Sequence, residues 1–132
     1  MPTEEDIVPG AGNILVVENE VGMRATLCAI LEDAGYKVSG LDKGAEALEM
    51  IRNQPFNVVI TDIRLPDVNG MEILELAKEI DPEATVIMMT GYTEEDLVRR
   101  AVSEGAYTCI YKPFDMEKVI RLVENISREK KK

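Results

Sequence analysis

The chain has 132 residues, of which 45% are hydrophobic, and this suits one folded domain with a buried core rather than a disordered chain. Its 25 acidic and 15 basic residues give a net charge of −10, so we expect no binding of DNA or RNA by this chain alone. Histidine is absent, which excludes histidine general bases, Ser-His-Asp triads and most zinc sites.

Segment composition suggests how the chain is organised. Neither a run of about 18 apolar residues nor a charged-then-apolar leader is present, so we expect no membrane span, no signal peptide and a cytoplasmic location. Cys28 and Cys109 lie far apart in apolar segments, as free thiols do. We expect a flexible lead-in over residues 1–12, one domain over 13–127, and a basic tail or the start of a linker over 128–132.

Five short apolar runs predict β-strands. Those at residues 13–17, 56–60 and 85–89 are nearly continuous and rich in β-branched residues, as buried parallel strands are. Those at residues 36–39 and 107–111 alternate more, which favours the edges of a sheet.

Five helical patterns alternate with these strands. We expect Asp42 to cap the second helix and Asp115 the fifth, with Thr93 and Asp96 forming a capping box at the fourth. The alternation predicts right-handed crossovers and an α/β fold: a doubly wound, five-stranded parallel sheet of order 2-1-3-4-5 with helices on both faces, which is flavodoxin-like.

Polar residues follow the strands at the edge where such sheets bind ligands. They are Glu18, Asn19 and Glu20 after the first strand, Thr61 and Asp62 after the third, Thr90 and Gly91 after the fourth, and Lys112 and Pro113 after the fifth. Carboxylate and amide oxygens suit Mg²⁺, and an aspartate can attack phosphorus to form an acyl phosphate. A hydroxyl, backbone amides and an ammonium would neutralise the phosphoryl charge, so the set indicates magnesium-assisted phosphoryl chemistry.

Four motifs stand at these strand ends: ILVVENE (residues 14–20), TDIRLPDVNG (61–70), MTG (89–91) and YKPFD (111–115). Together, and in this order, they make residues 13–127 resemble a response-regulator receiver domain of two-component signalling. The resemblance implies that Asp62 accepts a phosphoryl group from a sensor histidine kinase or a phosphotransfer protein. It implies no enzyme activity beyond magnesium-assisted self-phosphorylation and slow self-dephosphorylation.

The resemblance also implies a metal site. Mg²⁺ or Mn²⁺ would lie among Glu18, Asn19, Asp62 and the main-chain carbonyl of Arg64. In the family the acidic pair after the first strand is usually two aspartates, whereas Asn19 brings no charge, so we expect weak metal binding with phosphorylation retained. Glu18 is one methylene longer than aspartate and can compensate by reaching the metal.

The phosphate contacts follow from the same resemblance. Thr90, Gly91 and Lys112 would contact the phosphoryl group, and the Lys112–Pro113 bond would be cis. Phosphorylation would draw Thr90 inward and repack the face formed by the fourth helix, fifth strand and fifth helix. A downstream effector or a second copy of the chain would bind that face, and the basic residues there favour a homodimer: Arg99, Arg100, Lys118 and Arg121.

Two further departures concern switching and phosphate lifetime. Cys109 stands where the family often has an aromatic switch residue, and we expect Tyr107 and Tyr111 to lie on the opposite face, so that neither replaces it. Arg64 and Tyr92 occupy the positions that tune phosphate lifetime, and both are bulky, so we expect them to hinder the attacking water.

Other functions remain open at this point. A pseudo-receiver, which binds partners without phosphorylation, is favoured by Asn19. An aspartyl phosphatase would need Asp-x-Asp, but here Arg64 stands at the second position, and a flavodoxin would not place Glu18 and Glu20 beside a flavin phosphate.

Overall fold

A computed structural model describes the fold over residues 12–91 and 95–130. Strands and helices alternate strictly along these residues. In order they are β1 (Asn13–Val17), α1 (Val21–Asp33), β2 (Lys37–Leu41), α2 (Gly44–Asn53), β3 (Val58–Asp62), α3 (Gly70–Ile80), β4 (Thr85–Thr90), α4 (Glu95–Ser103), β5 (Thr108–Tyr111) and α5 (Met116–Lys130).

The five strands form one parallel sheet of order β2-β1-β3-β4-β5, which confirms the predicted topology. Every residue of β3 and β4 is buried, whereas β2 and β5 lie at the edges and are partly exposed. The chain reverses its winding direction between β1 and β3, and this creates the crevice at their carboxyl ends.

Alternate side chains of the central strands enter two cores, one on each face of the sheet. Leu15, Val17, Val59 and Val86 pack on the face that α2, α3 and α4 cover. Their neighbours in the strands enter the opposite core against α1 and α5: Ile14, Val16, Ile60 and Ile87. Burial on both faces explains why these strands are continuous apolar runs.

The predicted boundaries of β3 were wrong by two residues. Phe56 is buried but precedes the strand, since it packs into the core from the preceding loop. The strand instead continues through Thr61 and Asp62, whose partners in β4 are Met88 and Met89. Hydrophobicity marks burial, whereas a strand is defined by backbone pairing, so Asp62 belongs to the ladder despite its charge.

The predicted cap of α2 was also wrong. The capping position is occupied by Lys43, whose side chain makes no capping hydrogen bond. The first amides of α2, at Gly44 and Ala45, instead donate to the carboxylate of Asp67, 2.9 and 3.0 Å away. Asp42 therefore has no capping role.

The start of α5 was predicted correctly, whereas its end was not. Asp115 Oδ1 accepts a hydrogen bond from the Glu117 amide at 3.0 Å, which confirms it as the cap. The helix continues through Lys130, so residues 128–130, expected in a tail, are helical. Ser127 is buried and its hydroxyl lies 3.2 Å from that of Tyr36, which attaches this helix to the loop before β2.

Some predictions fall outside the described residues. They are the lead-in up to residue 11, Thr93 of the capping box, and the last two residues of the tail. Within the described part of the chain, no helix has the length and apolar character that crossing a membrane requires. The two cysteines are free, as predicted, and both are half-buried.

Candidate functional site

A cleft of about 420 Å³ opens at the carboxyl ends of β1, β3, β4 and β5. Its lining includes the predicted residues of the described chain: Glu18, Asn19, Asp62, Arg64, Thr90, Gly91 and Lys112. A larger cleft of about 710 Å³ lies at the amino ends of β3, β4 and β5 and contains none of them. The predicted residues therefore meet at one site, except Tyr92, which lies outside the described residues.

The parallel register explains why these residues meet. The Glu18 amide donates to Leu41 O at 2.9 Å and so extends the β1–β2 ladder by one residue. Asp62 is the last residue of β3, and the Lys112 amide donates to Thr90 O at 2.7 Å, just beyond β5. Each polar residue thus stands where its own strand ends, at one edge of the sheet.

A buried ion triad occupies the floor of the cleft. The ammonium nitrogen Nζ of Lys112 lies 2.5 Å from Glu18 Oε1 and 2.7 Å from Asp62 Oδ1. The side chains of the two acids are 1% and 7% exposed, and that of the lysine is 24% exposed. Glu18 Oε2 also accepts from the Glu20 amide at 2.8 Å, so both oxygens of Glu18 are bound within the protein.

Burial and the triad shift the three pKa values. Burial raises the pKa of Asp62, and the neighbouring Glu18 carboxylate adds to this, so that despite Lys112 the value reaches about 7. Burial would also raise the pKa of Glu18, but hydrogen bonds from the Glu20 amide and Lys112 outweigh it and lower the value. Burial would lower the pKa of Lys112, yet the two carboxylates raise it.

The oxygen atoms of the cleft fit a hard divalent cation. Asp62 Oδ1 is a buried carboxylate oxygen at the floor of the cleft, and its partner is the Lys112 ammonium, 2.7 Å away. No group of three His, Cys, Asp or Glu side chains within residues 12–91 and 95–130 could hold a metal. A cation would therefore need the Asn19 amide oxygen or the Arg64 carbonyl besides Asp62, which are ligands that Mg²⁺ accepts.

The remaining predicted phosphate contacts also line the cleft. Thr90 is buried at the end of β4, and Gly91 is exposed, with no atom within 4 Å of where a Cβ would stand. The Lys112–Pro113 peptide bond is cis, as predicted.

The expected arrangement of side chains on β5 was wrong. Residues two apart in a strand share a face, so Tyr107 and Tyr111 point to the same side as Cys109. Cys109 packs against the core beneath α3 and α4, whereas Ile110 enters the opposite core. Both tyrosines are exposed, and Tyr111 is the register partner of Thr90.

Two polar residues near the cleft cap helices: Glu20, which the sequence places after the first strand without a role in the site, and Asp67, which the sequence does not single out. Glu20 lines the cleft and caps α1, since its carboxylate accepts from the amides of Gly22 and Met23 at 3.1 and 2.6 Å. Its position just before an apolar helix was a usable signal. Asp67 caps a helix that begins 23 residues earlier, and no local pattern signals such a contact.

Comparisons with known proteins show which family the chain belongs to. The family model of the response regulator receiver domain matches residues 14–124. The receiver protein CpdR of Brucella abortus is 33% identical, with 86% of this chain and 94% of that protein covered.

A second relative is much longer than this chain. The transcriptional regulatory protein ZraR of Klebsiella oxytoca is 35% identical over 81% of this chain, which spans only 24% of its length. The solution structure of the beryllofluoride-activated NtrC4 receiver domain dimer superposes with a TM-score of 0.83 and 31% identity, covering 89% of this chain and 98% of that one. The chain belongs to the response regulator receiver domain family of two-component signalling.

Proposed function

We propose that this chain is a phosphorelay response regulator in which Asp62 accepts a phosphoryl group from the histidine of a sensor kinase or a phosphotransfer protein. Receiver domains as a family are phosphorylated on an aspartate. The observation that supports this role for Asp62 is its buried carboxylate at the floor of the cleft, with Oδ1 in an ion pair 2.7 Å from the Lys112 ammonium.

The transfer needs little from the protein besides position and charge. A carboxylate oxygen of Asp62 attacks phosphorus, and the bond between phosphorus and the donor imidazole nitrogen breaks. The imidazole leaves with that electron pair and takes up a proton. The attacking oxygen must be ionised, whereas a pKa of about 7 leaves Asp62 partly protonated at neutral pH. Added positive charge at the cleft would lower this pKa and so favour the reactive, ionised form.

Three other residues would bind the phosphoryl oxygens. The Lys112 ammonium already contacts Asp62 and would also contact the oxygens of the added phosphoryl group. Glu18 holds the ammonium in place from the other side. Thr90 and Gly91 line the same cleft, and their hydroxyl and backbone amide are the donors that we propose. These residues thus share one cleft with Asp62.

A divalent cation belongs to this proposal. Mg²⁺, or Mn²⁺, would be held by Asp62, Asn19 and the Arg64 carbonyl, and when bound it would neutralise charge on the phosphoryl oxygens. Because both Glu18 oxygens are already bonded, Glu18 contributes charge nearby rather than a ready ligand. We therefore expect weak binding.

The output would be read on the face of α4, β5 and α5. Val102, Tyr107 and Tyr111 are its exposed large apolar side chains. Receiver domains bind histidine kinases and effector domains, and for this chain we propose either an effector or a second copy as the partner of this face.

The basic residues of that face bear on the choice of partner. Arg99 and Arg121 already pair with acids of their own helices, as does Arg100 with Glu104 at 2.6 Å. A homodimer through α4 and α5 would therefore exchange the existing ion pairs of these three arginines. A cytoplasmic location and the absence of further enzyme activity stay predictions.

The pseudo-receiver alternative is not indicated by the relatives. In addition, acceptor, hydroxyl and ammonium share one cleft, which a binding module without phosphorylation would not require.

Mass spectrometry after incubation with acetyl phosphate and Mg²⁺ tests the proposal. We expect the parent to gain the mass of one phosphoryl group that is labile to hydroxylamine, and Asp62→Asn to gain none. Asp33→Asn, at an exposed carboxylate remote from the cleft, is the matched control and should behave like the parent. An unchanged parent mass, or a gain that persists in Asp62→Asn, would refute the proposal.

A further inference from the structure

The loop between β3 and α3 is closed at its base. Arg64 and Asn69 form an antiparallel bridge, and the Gly70 amide donates to Ile63 O at 2.6 Å. Asn69 also begins α3 with a capping box, in which its side chain accepts from the Met71 amide at 2.9 Å. The loop therefore projects from the sheet as a compact turn whose two ends are fixed next to Asp62.

The base of this loop lies directly against the backbone of the phosphoacceptor. A Cβ at Gly70 would stand 2.1 Å from Asp62 O and 2.8 Å from Ile63 Cα. Such contact leaves no room for a side chain, so α3 begins in van der Waals contact with the end of β3. The carbonyl of Arg64, a ligand in the proposed cation site, belongs to this same turn.

The tip of the loop is bound to a different element, the first turn of α2. Asp67 Oδ1 accepts from the Gly44 amide at 2.9 Å, and Oδ2 accepts from the Ala45 amide at 3.0 Å. These amide donors also lower the pKa of Asp67, so the carboxylate is ionised at neutral pH. Since Lys43 offers no capping hydrogen bond, Asp67 does for α2 what a local cap would normally do.

Apolar contacts support the same junction. A Cβ at Gly44 would stand 2.0 Å from Val68 Cγ2 and 3.2 Å from Leu65 Cδ1. The loop therefore packs closely against the start of α2, where only glycine leaves enough space. Val68 and Leu65 also pack against the core beneath α2 and α3. The loop is thus held on both sides, by β3 and α3 at its base and by α2 at its tip.

We infer that Asp67 is a positioning residue for the phosphorylation site: by binding the amino terminus of α2 it holds the β3–α3 loop, and with it the Arg64 carbonyl, in place beside Asp62. Only two residues separate Arg64 from Asp67, so a tip released from α2 would leave the carbonyl held only at the base of the loop. This inference rests on the proposed function, since it assigns the carbonyl to the cation site. Replacing a residue that orients a metal ligand without touching the metal commonly lowers the affinity for the metal by 10–100-fold.

Asp67→Ala is the direct test, with Mg²⁺ binding followed by NMR titration. We expect the dissociation constant to rise about tenfold, and less in Asp67→Asn, which keeps one acceptor oxygen. Loss of a helix cap also destabilises α2, and that alone could lower affinity. The variant Asp67→Ala/Lys43→Ser separates the two effects, because serine gives α2 a cap of its own.

In this double variant we expect the urea midpoint to return toward that of the parent while Mg²⁺ affinity stays low. We expect the Gly70 amide, which donates to Ile63 O at the base of the loop, to exchange hydrogen faster than in the parent in both the single and the double variant. This measurement needs no metal. Affinity and exchange that recover together with stability would overturn the positioning role and leave only a helix cap. A parent that binds no Mg²⁺ would instead contradict the proposed function, and the exchange rate at Gly70 would still decide whether Asp67 holds the loop.

Discussion

Replacing Asp62 by asparagine should stabilise the metal-free protein above neutral pH. The pKa of Asp62 rises from 3.8 to about 7 on folding, because the carboxylate is buried and lies beside Glu18. At about 1.4 kcal/mol per pKa unit, a shift of about 3 units is worth at most about 4 kcal/mol. Asparagine removes the buried charge, and Lys112 keeps Glu18 as its partner at 2.5 Å.

The sign follows from proton linkage. The folded state keeps a proton on Asp62 that the unfolded state releases, so the stabilisation that this group provides is complete below about pH 4. It is lost as the pH rises through about 7, where the ionised carboxylate becomes a cost. Asp62→Asn should therefore match the parent near pH 4 and exceed it by up to about 4 kcal/mol at pH 8.

Urea unfolding without divalent cations, followed by far-UV circular dichroism between pH 4 and 8, measures this difference. Asp33→Asn, at an exposed carboxylate, should show no comparable increase with pH. Mg²⁺ at ten times its dissociation constant should add about 1.4 kcal/mol to the parent and less to Asp62→Asn. A difference between Asp62→Asn and the parent that is constant with pH, or a parent that is more stable at pH 8, would refute the reasoning.

Three other predictions follow from the cleft and its loop. Asn19→Asp should tighten Mg²⁺ binding about fivefold or more, since a second carboxylate is worth about 1–3 kcal/mol, and calorimetry showing equal affinity would contradict this. Arg64→Ala combined with Tyr92→Ala should speed hydrolysis of the acyl phosphate, measured as loss of the phosphorylated mass; unchanged decay would discard the role of side-chain bulk. Gly70→Ala should lower the thermal midpoint, because its Cβ would meet a backbone oxygen at 2.1 Å. The decrease should clearly exceed the few degrees that correspond to about 1 kcal/mol. A midpoint like that of the parent would show that this contact relaxes freely.

Most of the fold could be predicted from the sequence because its signals are local. Continuous β-branched runs such as residues 13–17 and 85–89 identify strands that are buried on both faces. Strict alternation with helices then requires right-handed crossovers and parallel pairing. The cap at Asp115 was predictable for the same reason, since it contacts an amide only two residues away.

The members of the candidate site were predictable one strand at a time. Parallel strands bring their carboxyl ends to one edge, so the polar residue after each strand was certain to lie near the others. What each side chain contacts was not predictable in this way. The sequence did not reveal that Glu18 pairs with Lys112, which follows β5 and is separated from β1 in the sheet by β3 and β4.

Residue type and spacing within a few residues were enough to identify the strands. Their parallel order and the oxygen-rich edge of the sheet then followed from strict alternation with helices, which requires right-handed crossovers. Only the tertiary structure decided that Glu18 is bound by Lys112 and that α2 is capped by Asp67, because these contacts join residues 94 and 22 to 23 positions apart. Such distances are set by how whole elements pack against one another, and no local pattern of residues records them.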